Sequence, residues 1–319
     1  MLGFRAANLS RTVATTSCSK GVAVRFRLAF SLLTLCVSAY AQNPTPISRV
    51  IPEVVTVHRD LVYASYENRE MLLDLYLPAV RSEMMLPAIV VIRGGGWAQG
   101  DKEGFGPMAA ALAKRGFAAA SIEYRASGEA VFPAAVEDTK AAVRWMRANA
   151  ATYELDPDSI GAIGGSAGAH LALFLDLTAD IREFEGDGGN ANLSSAVSAV
   201  VGFATPGDLG VMSGSQAAAA PLASFLGATF NDDPDLWEAA SPSTYIRPES
   251  PPSLLIQSEA DNVVPFKQSV QLTQRMAAAG VPVELVLISG APHSFWNFEQ
   301  WFDDSMNRAA SFFRAHLSQ

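Results

Sequence analysis

Cysteine is almost absent from this chain of 319 residues: there are two, Cys18 and Cys36, and no later position carries a thiol. The opening segment that holds them reads as an export signal. Arg25 and Arg27 precede an apolar run, Leu28 to Val37, and Ala39-Tyr40-Ala41 then offers small residues at the two positions a signal peptidase reads. The run is too short to span a bilayer, so cleavage is expected over anchoring, with residues 1–41 as signal peptide and 42–319 as the mature body. Leu35 stands where a lipid-attachment motif needs a small residue, which argues against Cys36 as an acyl anchor. A mature body without cysteine excludes disulfides, thiol catalysis and cysteine-ligated metals, and fits folding in a periplasm or outside the cell.

Basic residues and histidines are also scarce. Of 23 Lys and Arg, five fall in the opening segment, leaving 18 against 32 Asp and Glu, a formal charge of −14 for the mature body. A body this acidic is a poor partner for nucleic acid or for an anionic membrane surface, and no stable membrane association is expected once the signal is cleaved. The four histidines do not combine with Asp or Glu at metal-ligand spacing, so neither a metal nor another cofactor is implied. Hydrophobic side chains are plentiful, at 49%, which supports a sizeable core and argues against a disordered or fibrous chain.

Val54 to Val57, Leu61 to Tyr63 and Glu70 to Leu77 read as strands with no helix between them, hence antiparallel hairpins at one sheet edge. In the third, Leu73, Leu75 and Leu77 alternate with Asp74 and Tyr76, the pattern of one buried face. From Pro87 the rhythm changes. Ala88 to Ile92 is a continuous apolar run, as in a strand buried on both faces. Strands at Phe117–Tyr124, Ser159–Ile163, Val197–Phe203, Ser253–Gln257 and Val283–Ile288 then alternate with helices at Pro107–Arg115, Pro133–Asn149, Ala167–Leu177, Phe266–Ala279 and Phe298–Leu317. Such alternation predicts an α/β fold: a mostly parallel central sheet with helices on both faces. Gly207 to Arg247 breaks the rhythm with an alanine-rich stretch and the acidic turn Asn231-Asp232-Asp233-Pro234. It is read as a small lid or cap inserted over the top of the sheet.

Gly164-Gly165-Ser166-Ala167-Gly168 has the form G-x-S-x-G and lies between an apolar strand and a helical segment, the context that a nucleophile on a sharp turn requires. A serine hydroxyl needs a base. His58 lies in an early hairpin, His316 is near the C-terminus, and His170 sits one helical turn past Ser166, so structural roles suit these three. His293, in a loop following the last strand, is at the C-terminal end of the sheet where function collects, and is the expected base. The carboxylate that orients it should fall between serine and histidine in the chain. Asp261 is preferred, with Glu259 its local competitor and Asp208 a more distant alternative. Oxyanion donors should come from Gly95 or Gly96, in Arg93-Gly94-Gly95-Gly96-Trp97, together with the amide of Ala167. Trp97 either lines the substrate pocket or wedges the loop. A phosphate loop is a poor reading, because Gly95 to Lys102 lacks the G-K-[ST] ending.

With the glycine loop, the serine pentapeptide, Asp261 and His293 in this order, the chain resembles the esterase/lipase branch of the α/β-hydrolases. More narrowly it is similar to bacterial feruloyl and acetyl-xylan esterases and to kynurenine formamidase-like enzymes. Gly100-Asp101-Lys102, Glu123-Tyr124-Arg125, Phe132 to Asp138 and Ala240 to Tyr245 support the likeness. The family usually carries His before the glycines, where this chain has Arg93. The resemblance implies that this residue supports the loop through side-chain hydrogen bonds while the glycine amides act. It implies a serine esterase for short-acyl or hydroxycinnamoyl esters, with plant polysaccharide a candidate carrier. A peptidase or amidase on the same fold, and a non-catalytic binding protein, are the alternative readings.

Overall fold

The computed structural model describes residues 43–67, 69–80, 84–179 and 181–317; the expected signal segment, 1–41, lies outside the described residues. One eight-stranded sheet runs in the order β1 (Val55–Tyr66), β2 (Arg69–Pro78), β4 (Ala118–Ile122), β3 (Leu86–Ile92), β5 (Leu155–Gly165), β6 (Ala199–Phe203), β7 (Ser253–Ser258) and β8 (Val283–Ile288). β2 pairs antiparallel with β1 and β4, and all pairings from β4 to β8 are parallel. This is the α/β-hydrolase arrangement, a mostly parallel sheet with a hairpin on one edge.

The edge differs from expectation in two respects. The two short strands expected before position 64 are a single strand, β1, whose pairing slips between His58 and Leu61 and again between Val62 and Ala64. Those irregularities interrupt the alternation that periodicity relies on. Leu73 to Leu77 of β2 are not exposed on one face: Asp74 and Tyr76 are as buried as Leu73, Leu75 and Leu77. The segment after β3 covers that face, and Lys102 makes ion pairs at 2.9 Å with Asp74 and 2.8 Å with Asp60, so the carboxylate is buried with its counter-charge.

The helices are α1 (Gly106–Ala113), α2 (Ala134–Ala148), α3 (Ala150–Tyr153), α4 (Ala167–Leu177), α5 (Leu209–Met212), α6 (Ala219–Leu226), α7 (Pro234–Ala239), α8 (Lys267–Ala278) and α9 (Glu299–Leu317). α2, α4 and α8 pack into a core on one side of the sheet, and α1 and α9 into a second core on the other. α4 is buried at all eleven positions, because the sheet lies beneath it and the segment after β6 lies above. A helix in that place must be apolar all round, and Leu171, Leu173, Phe174, Leu175 and Leu177 each contribute about 1.5–3 kcal/mol by leaving water. Its two ionisable residues, His170 and Asp176, are therefore conspicuous. Residues 207–247 form α5, α6, α7 and a 3-10 turn at Pro242–Tyr245. No helix among the described residues is long and apolar enough to cross a membrane.

Candidate active site

Ser166 sits between β5 and α4 at φ 56° and ψ −122°, a conformation that costs a non-glycine residue about 1–3 kcal/mol. The glycines around it make the turn feasible. A Cβ on Gly164 would fall 2.3 Å from the carbonyl of Gly168, and one on Gly168 would fall 2.1 Å from the carbonyl oxygen of Ile92. Strand, turn and helix can close this tightly only without those methyls, and the Ser166 amide then donates to Phe203 O at 2.8 Å.

His293 lies in the loop after β8, and its Nε2 is 2.9 Å from Ser166 Oγ. Its Nδ1 is 2.7 Å from Asp261 Oδ2. Asp261 follows β7 and also accepts from Gln257 Nε2 at 3.1 Å and from the amides of Val263 and Val264 at 2.9 Å. Burial works to raise the pKa of this carboxyl. The hydrogen bond and charge of His293, with the two amides, outweigh it and hold the pKa below the usual Asp value. An ionised Asp261 fixes the proton on Nδ1 and leaves Nε2 free to accept from the serine. The competitors have other partners: Glu259 accepts from the Ser289 hydroxyl, while Asp208 caps α5 and pairs with Arg275. His58 packs on Tyr153 and His316 on Phe312.

The glycine loop faces this group. Gly95 has φ 109°, Gly96 φ 60° and Trp97 φ 58°, and the Gly95 carbonyl accepts from the amides of Ala98 and Gln99. A Cβ at Gly95 would lie 2.0 Å from Gln99 O. Arg93 is buried beneath the loop, donating to the carbonyls of Gln99 and Tyr124 with its guanidinium 3.8 Å from the Tyr124 ring centre. It braces the loop through carbonyls, as the resemblance implied for this position. The Ala167 amide opens α4, where no intrahelical acceptor exists. Trp97 does both things considered for it: it touches the cavity and wedges the loop, with its ring stacked 4.9 Å from Phe225.

Gly95, Gly96, Trp97, Ser166 and His293 all line one cavity of about 310 Å³. Its other walls are mainly apolar and include Phe105, Met212, Ala218, Pro221, Val264 and Trp296; among the described residues no Asp, Glu, Lys or Arg lines it. A groove of about 350 Å³ beside Pro107, Lys114 and Phe302 shares no residue with it and contains no histidine. Sequence reasoning missed Gln257 and Trp296. Gln257 had a weak signal, a polar residue inside an apolar strand. Trp296, whose ring packs where a Gly165 Cβ would otherwise project, had none.

A family model described as BD-FAE matches residues 73–276, well over half of the chain. The chain belongs to the BD-FAE family. Among curated proteins, this BD-FAE chain is 31% identical over 233 residues to Esterase LipQ of Mycobacterium tuberculosis, covering 72% of itself and 55% of that protein. It is 28% identical over 247 residues to Esterase LipC of the same organism, covering 75% of itself and 60% of that protein. It thus spans little more than half the length of these relatives. Among solved structures, a truncated carbohydrate esterase from gut microbiota is similar, with TM-score 0.74 and 30% identity over 86% of this chain and 100% of that one. Est2, an esterase of Thermogutta terrifontis, has TM-score 0.69 and 31% identity over 82% and 92% of the two chains.

Proposed function

We propose that the protein is a secreted or periplasmic carboxylic ester hydrolase acting through an acyl-enzyme. The observation that carries this reading is the hydrogen-bonded series Ser166–His293–Asp261 on an apolar cavity. Ser166 Oγ attacks the ester carbonyl while His293 Nε2 takes its proton, giving a tetrahedral oxyanion held by the amides of Gly95 or Gly96 and of Ala167. Collapse expels the alcohol, which receives that proton from His293. Water, deprotonated by His293, then attacks the acyl-serine and releases the acid. Asp261 stays ionised and stabilises the imidazolium.

The substrates proposed are neutral esters of short acyl or hydroxycinnamoyl groups, with plant polysaccharide as the carrier. A mainly apolar cavity of about 310 Å³, with no Asp, Glu, Lys or Arg in its wall among the described residues, suits an uncharged acyl group. Residues 207–247 act as the lid, contributing Met212, Ala217, Ala218 and Pro221 to its wall. The carbohydrate-esterase neighbour and the expected export signal support a polymeric substrate. The test is hydrolysis of p-nitrophenyl esters from acetate to long acyl chains, beside methyl ferulate and acetylated xylan, with Ser166→Ala as control. Turnover highest at acetate or butyrate, with release from ferulate or xylan, is expected. Turnover of none of these by folded protein, or undiminished turnover by Ser166→Ala, would overturn the proposal.

A further inference from the structure

The acyl-enzyme mechanism uses His293 alone among the histidines, yet a second imidazole lies one helical turn beyond Ser166. His170 is fully buried in α4. Its Nδ1 is 3.2 Å from the Trp97 indole nitrogen and its Nε2 is 2.9 Å from the carbonyl oxygen of Ala240. An indole N–H can only donate and a carbonyl can only accept, so Nδ1 accepts and Nε2 carries the proton. The rings around it are Trp97, Phe174 and Phe225, with centres 5.3, 5.8 and 5.7 Å away. An imidazole with one fixed tautomer, buried among aromatic rings, is not placed to shuttle protons. It is placed to hold something still.

We propose that His170 is a positioning residue for the oxyanion loop, fixing the Trp97 indole and thereby the amides of Gly95 and Gly96; this rests on the esterase reading. The loop strings together three residues at positive φ, and the third is a tryptophan, for which that conformation is unfavourable. Within the loop, the turn closed on the Gly95 carbonyl opposes relaxation. Outside anchors hold the rest: Arg93 under its carbonyls, Ser127, whose amide donates to Trp97 O at 2.9 Å, and the His170–Trp97 bond. By donating to Ala240 at the end of α7, His170 also joins the loop to the segment that forms the cavity wall. Donors to an oxyanion act through placement, and small displacements are costly.

The two ring nitrogens can be tested separately. In His170→Asn the side-chain oxygen can occupy the Nδ1 position and keep the Trp97 bond; in His170→Gln the amide nitrogen can occupy the Nε2 position and keep the Ala240 bond. kcat and KM for p-nitrophenyl acetate are measured on variants shown by thermal melting to be folded. His170→Phe, which does not touch the cavity, is expected to lower kcat about tenfold or more with KM changed less than about threefold, and Trp97→Phe to lower kcat by as much. Their double mutant should fall no further than the worse single, and His170→Asn should recover kcat where His170→Gln does not. A folded His170→Phe with kcat within about twofold of wild type would overturn the proposal. So would recovery by Gln and not by Asn, which would assign the effect to the packing of the cavity wall. If His170→Phe does not fold, Trp97→Phe decides by the same criterion. Activity surviving in Ser166→Ala would instead defeat the esterase reading, so the two failures are distinct.

Discussion

Replacing Asp261 by Asn keeps the shape of the side chain and exchanges one acceptor for a donor. In the native site Oδ2 accepts from His293 and Gln257, and Oδ1 accepts from two backbone amides at 2.9 Å. If the Asn oxygen takes the Oδ1 place, its NH2 group faces His293 Nδ1, which must then accept. The imidazole proton moves to Nε2, and that nitrogen can no longer take a proton from Ser166. If the oxygen instead faces His293, the NH2 opposes both backbone amides, and each stranded donor costs about 1–3 kcal/mol. The first orientation strands fewer donors, so most molecules hold the wrong tautomer, and all have lost the charge that stabilises imidazolium. The expected fall in kcat is about 10⁴-fold, equivalent to about 5.4 kcal/mol at 1.36 kcal/mol per tenfold. KM should change little, because Asp261 does not line the cavity. The assay is steady-state hydrolysis of p-nitrophenyl acetate by folded Asp261→Asn, with Glu259→Gln beside it. A loss below about tenfold in Asp261→Asn, or a comparable loss in Glu259→Gln, would refute the assignment of the carboxylate.

Three further predictions concern buried polar groups. Burial pushes the His170 pKa down to about 4, against the opposing hydrogen bond to Ala240. The unfolded imidazole protonates near its ordinary value while the folded one resists, so this contribution is complete above about pH 6.5. It is lost as pH falls toward 4, by up to about 3 kcal/mol. Urea midpoints at pH 7.5 and 4.5 should show it in wild type and show less of it in His170→Phe; equal pH dependence would contradict it. Asp176 is fully buried, and burial raises its pKa well above the ordinary value, with the charge of Arg247 only partly opposing. Neither carboxyl oxygen has a hydrogen-bond partner among the described residues. Because the native state keeps a proton that the unfolded state releases, this group loses stability as pH rises, so Asp176→Asn should be more stable by about 1–3 kcal/mol at pH 8 and show less gain near pH 4. Denaturation at the two pH values checks this, and a variant no more stable than wild type at pH 8 would contradict it. Arg93→Met keeps the aliphatic stem but removes the donors to Gln99 and Tyr124. It should cost about 2–3 kcal/mol of stability and lower kcat about tenfold, and unchanged melting with unchanged kcat would show the brace to be idle.

Much of this arrangement was readable from local chemistry. The parallel strands β3, β4 and β6 are buried at nearly every position and announce themselves as apolar runs, whereas β8, at the far edge, is half exposed. Ser166 was legible because a turn this sharp demands glycines at fixed offsets, and His293 because the other histidines lay in the wrong places. Asp261 and Glu259 could be ranked by position, but only the folded loop shows Glu259 turned to Ser289. What was illegible depends on contacts far apart in the chain. The burial of Asp74 needs Lys102 folded over it, and the slips in β1 leave no periodic trace. The bond from Trp97 to His170 spans 73 positions, and neither residue alone signals it. The apolar wall formed by Met212, Ala218 and Pro221 comes from a segment whose composition indicated an insertion and nothing of its path.

In the proposed mechanism Ser166, activated by His293, forms the covalent intermediate. The most direct measurement is reaction with a fluorophosphonate, which a nucleophilic serine attacks with loss of fluoride, followed by mass spectrometry of the digested protein. The expected result is loss of esterase activity in step with a single phosphonyl adduct on the peptide containing Ser166, and no such adduct in Ser166→Ala. Inactivation without modification of Ser166, or an unmodified Ser166 in protein that still turns over esters, would contradict it.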